Sequence, residues 1–322
     1  MTGSGNRSRR GPSWLSRILG LLSVMGPGLA AVVGAAGYLW VKPPRLLLTE
    51  PDPPGISPEE VYFPSRDGLR LHGLFLAGRP GSPALLLCHG YYRSLAEPFP
   101  LACELNRLGY HLLLLDFRGC GLSGGRFTTV GYREAADVLG AVDYVQRRLG
   151  QGPLGVLGIS MGAVAALRAA PDCPAIAAIV ADSAYADLKD TIRHKMEEVL
   201  RLPLLVALGW ASIRVGEWLS GGNVAAVRAM DDAARLSPRP LLLIHGARDD
   251  YLPPDNAQRL FQAAGEPKEL WLAPGSGHAA ARLDHSREYL ERVHGFFQRY
   301  LTPPASGASA AEATERGAGQ IS

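Results

Sequence analysis

A chain of 322 residues, 47% of them hydrophobic and 20% charged, is long enough for one large core with appendages and suits that better than two independent domains. Its net charge of +3 forms no basic stripe beyond the amino terminus, which argues against nucleic acid as a partner. Cys88, Cys103, Cys120 and Cys173 show no paired C-x-x-C spacing and the eight histidines no H-E-x-x-H, so no metal site is indicated, although the cysteines could pair in an oxidising compartment.

Residues 1–17 form a basic tail with Arg7, Arg9, Arg10 and Arg17. Residues 18–41, ILGLLSVMGPGLAAVVGAAGYLWV, then run uncharged for 24 positions, enough for a helix to cross a hydrocarbon core of ~30 Å. The reading is a single transmembrane helix, with the arginines inside and the bulk of the chain extracytoplasmic. The alternative is a cleaved signal peptide, with Ala30, Ala31, Ala35 and Ala36 as small residues near a cut and a secreted product. Residues 42–57 are proline-rich and read as a stiff linker holding the next domain off the membrane.

From residue 58 to 302 the pattern is that of one α/β domain. EEVYFPS and LRLHGLFLAG flank Arg66, Asp67 and Gly68, the turn chemistry of a hairpin. Apolar strands then alternate with helical patterns: PALLLCHG, SLAEPFPLACELNRLG, HLLLLDFRG, REAADVLGAVDYVQRRLG and the strand Leu154–Ile159. AIAAIVADS, PLLLIHGA and KELWLAP continue the series, and Ser286–Leu301 closes it as a helix. Repeated βαβ units predict a mostly parallel sheet with helices on both faces. Residues 185–236 exceed a simple crossover and read as lid helices, with Leu204, Leu208, Trp210, Ile213 and Trp218 as candidate walls of an acyl pocket. Arg201, Arg214 and Glu217 argue against a second membrane span there. The tail 303–322 is small and polar and reads as disordered.

The chemistry gathers around VLGISMGAV. Ser160 sits where a strand gives way to an alanine-rich helix, and Gly158 and Gly162 spare that sharp bend the clashes of a Cβ. Ser123 lies in a second G-x-S-x-G, but GRFTTVGY cannot open a helix directly after it, so a loop is expected. Gly119, Gly121 and Gly124 match a dinucleotide fingerprint without its helix or its acid, which sets a nucleotide cofactor aside. In an open α/β sheet the strand carboxyl ends share one edge. There PLLLIHGA leads into Asp249 and Asp250, and KELWLAP leads into His278. Histidine can take the serine proton, and a carboxylate behind it fixes the tautomer. His285, in a polar segment, is the rival base and reads as a surface residue.

The order Ser160, Asp249, His278, with the elbow GISMG and this strand series, resembles the α/β-hydrolase superfamily over residues 58–302. PSRDGLRLHGLFL, LLLCHGYYRS, DFRGCGLSGG, LLLIHGARDDYLPP and GSGHAAARLDHSREY look most like bacterial membrane-linked serine esterases of the dienelactone-hydrolase-like and acyl-peptidase-like branch. That resemblance implies Asp249 as the acid, with Asp250 and Asp182 as alternatives, and the backbone N–H groups of Tyr91 and Met161 as the oxyanion hole. It implies a serine hydrolase that cleaves a small-molecule acyl ester through an acyl-enzyme, with no cofactor. A thioesterase, a peptidase and an idle binding protein on the same fold are the alternatives. Because every catalytic motif lies beyond Glu60, a chain starting near Pro44 is expected to be soluble, folded and active.

Overall fold

The computed structural model describes residues 14–47 and 54–301, with side chains from residue 26 onward. The basic tail up to residue 13, the middle of the linker (48–53) and the tail 302–322 lie outside the described residues.

Eight strands form one sheet: β1 (Glu59–Pro64), β2 (Arg70–Leu76), β3 (Ala84–Cys88), β4 (His111–Asp116), β5 (Leu154–Ile159), β6 (Ile176–Asp182), β7 (Leu241–Gly246) and β8 (Lys268–Ala273). Their spatial order is β1-β2-β4-β3-β5-β6-β7-β8, and pairing is parallel from β4 through β8. β1 and β2 form the expected antiparallel hairpin, with Gly68 at φ +85° in its turn, where a side chain would be strained. The central strands are buried on both faces, which is why they read as unbroken apolar runs such as LLLC and LLLLD.

Helices α2 (Phe99–Arg107), α3 (Glu134–Leu149) and α4 (Met161–Ala169) cross between the strands, and α10 (Ser286–Leu301) closes the chain. One core, with Val138, Val142, Val164 and Leu167, fills the α3 and α4 face. The other, with Phe99, Leu105, Tyr289 and Phe297, fills the α2 and α10 face. α8 (Asp255–Ala263), between β7 and β8, is a crossover the sequence pattern does not announce. A four-residue turn of helix, α9 (Ala281–Asp284), follows β8.

Between β6 and β7 the chain inserts α5 (Leu188–Leu200), α6 (Pro203–Ser220) and α7 (Ala229–Ala234). α5 starts at Asp187, whose carboxylate accepts the Asp190 N–H at 3.0 Å, and α6 ends at Gly221 in the left-handed region.

The amino-terminal segment departs from a free-standing span. α1 (Trp14–Val41) is helical where a span is expected, but among the described residues no helix is long and apolar enough to cross a membrane. The last turns of α1 pack instead on α6. A Cβ on Gly37 would overlap the Ser212 carbonyl, and one on Gly216 would lie 2.7 Å from Trp40 Cε3, so two glycines set the close approach. Val41 is fully buried and its carbonyl accepts the Thr128 N–H at 2.9 Å. The linker also begins against the domain, since Arg45 donates to the carbonyls of Gly121, Ser123 and Gly125, each at 2.7 Å. Cys88, Cys120 and Cys173 are buried and form no disulfide.

Candidate active site

The carboxyl ends of β3, β5, β6, β7 and β8 meet along one edge of the sheet, and the chemistry-bearing residues follow them. Ser160 directly follows β5, with φ +52° and ψ −113°, and opens α4. That geometry is costly for a side chain bearing a Cβ and is held by its surroundings. The Ser160 N–H is pinned to the Asp182 carbonyl at 2.7 Å. A Cβ on Gly162 would lie 2.5 and 2.6 Å from the Cys88 and His89 carbonyls, and one on Gly158 would overlap the α4 backbone at Gly162 and Ala163. Each glycine therefore has a defined obstacle.

His278 Nε2 lies 3.1 Å from Ser160 Oγ, and His278 Nδ1 lies 2.7 Å from Asp249 Oδ2. With Nδ1–H donating to the carboxylate, Nε2 is free to accept the serine proton. Asp249 is buried, and its other oxygen accepts the N–H groups of Tyr251 and Leu252 at 3.0 and 2.7 Å. Burial would raise its pKa, but hydrogen bonds from His245 and His278 and from the Leu252 N–H outweigh that and hold the carboxyl well below the usual range. The His278 loop reaches this position because Gly246 has no side chain: a Cβ there would lie 2.5 Å from the Ser276 carbonyl. Ala279 N–H then donates to Ser183 Oγ at 3.1 Å, tying the loop to the end of β6.

The alternatives lie elsewhere. Asp250 is exposed. Asp182 is fully buried, accepts from Ser183 and Tyr289, and has its pKa pushed up by burial. His285 Nε2 bonds the Pro274 carbonyl at 2.8 Å, away from Ser160. Ser123 is buried, donating to the Asp116 carbonyl at 2.5 Å and accepting the His72 N–H at 2.8 Å, so it is a loop brace.

The turn after β3 faces Ser160. Neither the Tyr91 nor the Met161 N–H has an acceptor among the described residues, and Met161 is the first residue of α4, where the helix dipole favours negative charge. His89 braces that turn. Its Nε2 accepts the Phe117 N–H at 3.0 Å, which leaves Nδ1–H to donate to the Gly90 carbonyl at 2.7 Å. Burial lowers its pKa and keeps it neutral. Glu97 accepts the Gly90 N–H at 2.6 Å and pairs with Arg282 at 3.2 Å.

Two cavities meet at Ser160. One, of about 410 Å³, carries the charged side chains of Arg93, Glu97 and Arg282 beside Ile159, Ala279 and Leu283. The other, of about 430 Å³, is apolar and opens toward the insertion, lined by Tyr185, Leu188, Ile192, Met196, Ile213 and, unexpectedly, Trp40. Tyr91 and Tyr251 border both. Of the five apolar residues expected to wall an acyl pocket only Ile213 does so. Leu204 and Trp218 are 72% and 81% exposed, because α6 turns them to solvent, and Trp210 packs on the core. His245, Glu97, Tyr251 and Trp40 are the site residues sequence reasoning missed. Among them His245 and Tyr251 lay within reach, flanking Asp249 in HGARDDYLPP.

The chain is similar to known proteins over most of its length. A family model for the alpha/beta hydrolase fold matches residues 83–214. YfhR of Escherichia coli strain K12 is 30% identical over 264 residues, covering 79% of this chain and 84% of YfhR. YqkD of Bacillus subtilis is 27% identical, covering 73% of this chain and 77% of YqkD. Among solved structures, the Pyrococcus furiosus esterase Pf2001 superposes with a TM-score of 0.67 at 26% identity, covering 82% of this chain and 99% of that one. With a serine elbow at the mouth of a parallel sheet and relatives spanning most of its length, the chain belongs to the α/β-hydrolase superfamily.

Proposed function

We propose that this hydrolase is a serine carboxylesterase acting on small acyl esters. Ser160 Oγ attacks the ester carbonyl as His278 Nε2 takes its proton, and the N–H groups of Tyr91 and Met161 receive the oxyanion. Collapse breaks the carbon–oxygen bond to the alcohol, which leaves with the proton from His278. Water then repeats the sequence on the acyl-enzyme, releasing the acid and restoring Ser160. Asp249 holds the histidine tautomer throughout. The observation that carries this reading is the relay of 3.1 and 2.7 Å from Ser160 through His278 to Asp249, opening onto two cavities.

A fluorophosphonate probe and p-nitrophenyl esters test it. The probe should label wild type and not Ser160→Ala, with ester turnover lost in parallel; a folded chain that neither labels nor turns over an oxyester is an idle fold or acts on another bond.

The insertion at 185–236 is proposed to act as a lid. The uncharged run 18–41 is proposed to tether the chain to a membrane with the catalytic domain extracytoplasmic, on the strength of the four arginines before it. Protease added to spheroplasts should reach the domain; full protection reverses the topology, and a mature chain beginning near Ala36 indicates a cleaved signal.

A further inference from the structure

α1 does more at this site than connect. Five fixtures hold its end. The Trp40 carbonyl accepts the Tyr91 hydroxyl, the Leu39 carbonyl accepts the Tyr92 hydroxyl, and the Val41 carbonyl accepts the Thr128 N–H. Gly37 and Gly216 let α1 and α6 approach closely, and Arg45 clamps the chain to three carbonyls just beyond the helix. Trp40 is thereby presented to the apolar cavity beside Ser160, opposite residues of α5 and α6.

We propose that Trp40 is a specificity-determining residue: the end of α1 completes the acyl-chain site, and this helix sets the length of acyl chain the enzyme accepts. The proposal rests on the esterase reading above and adds the class of acyl group. The cavity of about 430 Å³ falls in the usual range of ~300–1,000 Å³ for small-molecule sites and far exceeds the needs of an acetyl group. Its walls are mainly hydrocarbon, and its one charged neighbour, Lys195, is engaged by Glu198 and the Asp250 carbonyl. Such walls favour an unbranched acyl chain of several methylenes over a short or charged one. The cavity on the other side of Ser160, which carries the charged side chains of Arg93 and Arg282, is left for the alcohol.

The test is kcat/KM of the full chain on p-nitrophenyl esters from acetate to laurate. Wild type should gain up to about fourfold per added methylene, the equivalent of ~0.8 kcal/mol, until the cavity is filled. Trp40→Ala removes the wall, so its optimum should move to longer chains. Ile192→Trp, on the half-exposed side of α5, adds bulk inside the cavity and should move the optimum to shorter chains. If Trp40→Ala fails to fold, judged by fluorophosphonate labelling and thermal unfolding, Trp40→Phe carries the test with a smaller shift in the same direction. Superimposable chain-length profiles for wild type and a labelling-competent Trp40 variant overturn the proposal, as does acetate being the best ester of wild type. Absence of labelling and of turnover at every chain length instead overturns the esterase reading, and this proposal with it.

Discussion

At the scale of single residues, the bond network separates groups that resemble one another in sequence. Ser160→Ala should cost on the order of 10⁶ in kcat, as loss of a triad nucleophile does. Ser123→Ala should label normally and lose about 1 kcal/mol for each brace bond removed, read by urea unfolding. Asp249→Asn should lower kcat by roughly 10⁴ through the wrong histidine tautomer, whereas Asp250→Asn, on an exposed side chain, should change it little. Asp249 also makes a pH statement. Its folded pKa lies below the unfolded one, so it stabilises the fold above the ordinary carboxylate range, and that contribution is lost as pH falls through the folded value. The stability gap between wild type and Asp249→Asn should accordingly be wider at pH 7 than at pH 3; an equal gap would show that the low pKa is not tied to folding. His89 adds a second acid-sensitive contribution. Burial lowers its folded pKa from 6.5, so below about that pH the unfolded chain binds a proton the folded one refuses, and stability falls.

At the scale of elements, the sheet was legible because buried parallel strands are written as apolar runs. Leu154–Ile159 and Ser286–Leu301 have the bounds their patterns imply, and the hairpin turn carries its own chemistry at Asp67 and Gly68. The elbow was legible for a steric reason, since glycine two places on either side of a serine is what a strand-to-helix bend demands. Gly162→Ala is expected to destabilise by about 1–3 kcal/mol or more, because its methyl meets two backbone carbonyls that cannot move without shifting β3; a thermal midpoint within a degree of wild type would contradict that. α8 was not legible, its nine residues following two prolines with a short and mixed apolar pattern. Nor was the orientation of α6. Its apolar residues occur all round, so periodicity could not tell Ile213, which faces the cavity, from Trp218, which faces solvent. Trp40 belongs to the same class of omission: its partners Tyr91 and Gly216 lie far along the chain, and no local pattern encodes a contact of that range.

At the scale of the whole molecule, the described end of α1 is integral to the hydrolase, which changes what a shortened chain should do. The sequence alone suggested that a chain starting near Pro44 would be soluble, folded and active. Removing Trp40 and Val41 instead uncovers the α6 face around Gly216 and unties the Tyr91 and Tyr92 hydroxyls, so that chain should lose thermal stability and rate on longer acyl esters more than on acetate. Equal stability and an unchanged ester profile would return α1 to the role of a bare tether. The buried cysteines carry a different kind of consequence. Burial raises the Cys88 and Cys120 thiols far above their ordinary pKa, leaving them protonated and shielded, and no disulfide joins them or Cys173. Dithiothreitol should leave the melting temperature unchanged, and iodoacetamide should modify these three positions only after unfolding. The stability of the fold therefore does not rest on a disulfide at these three positions, so a change in the redox poise of the medium should not reach the core through them.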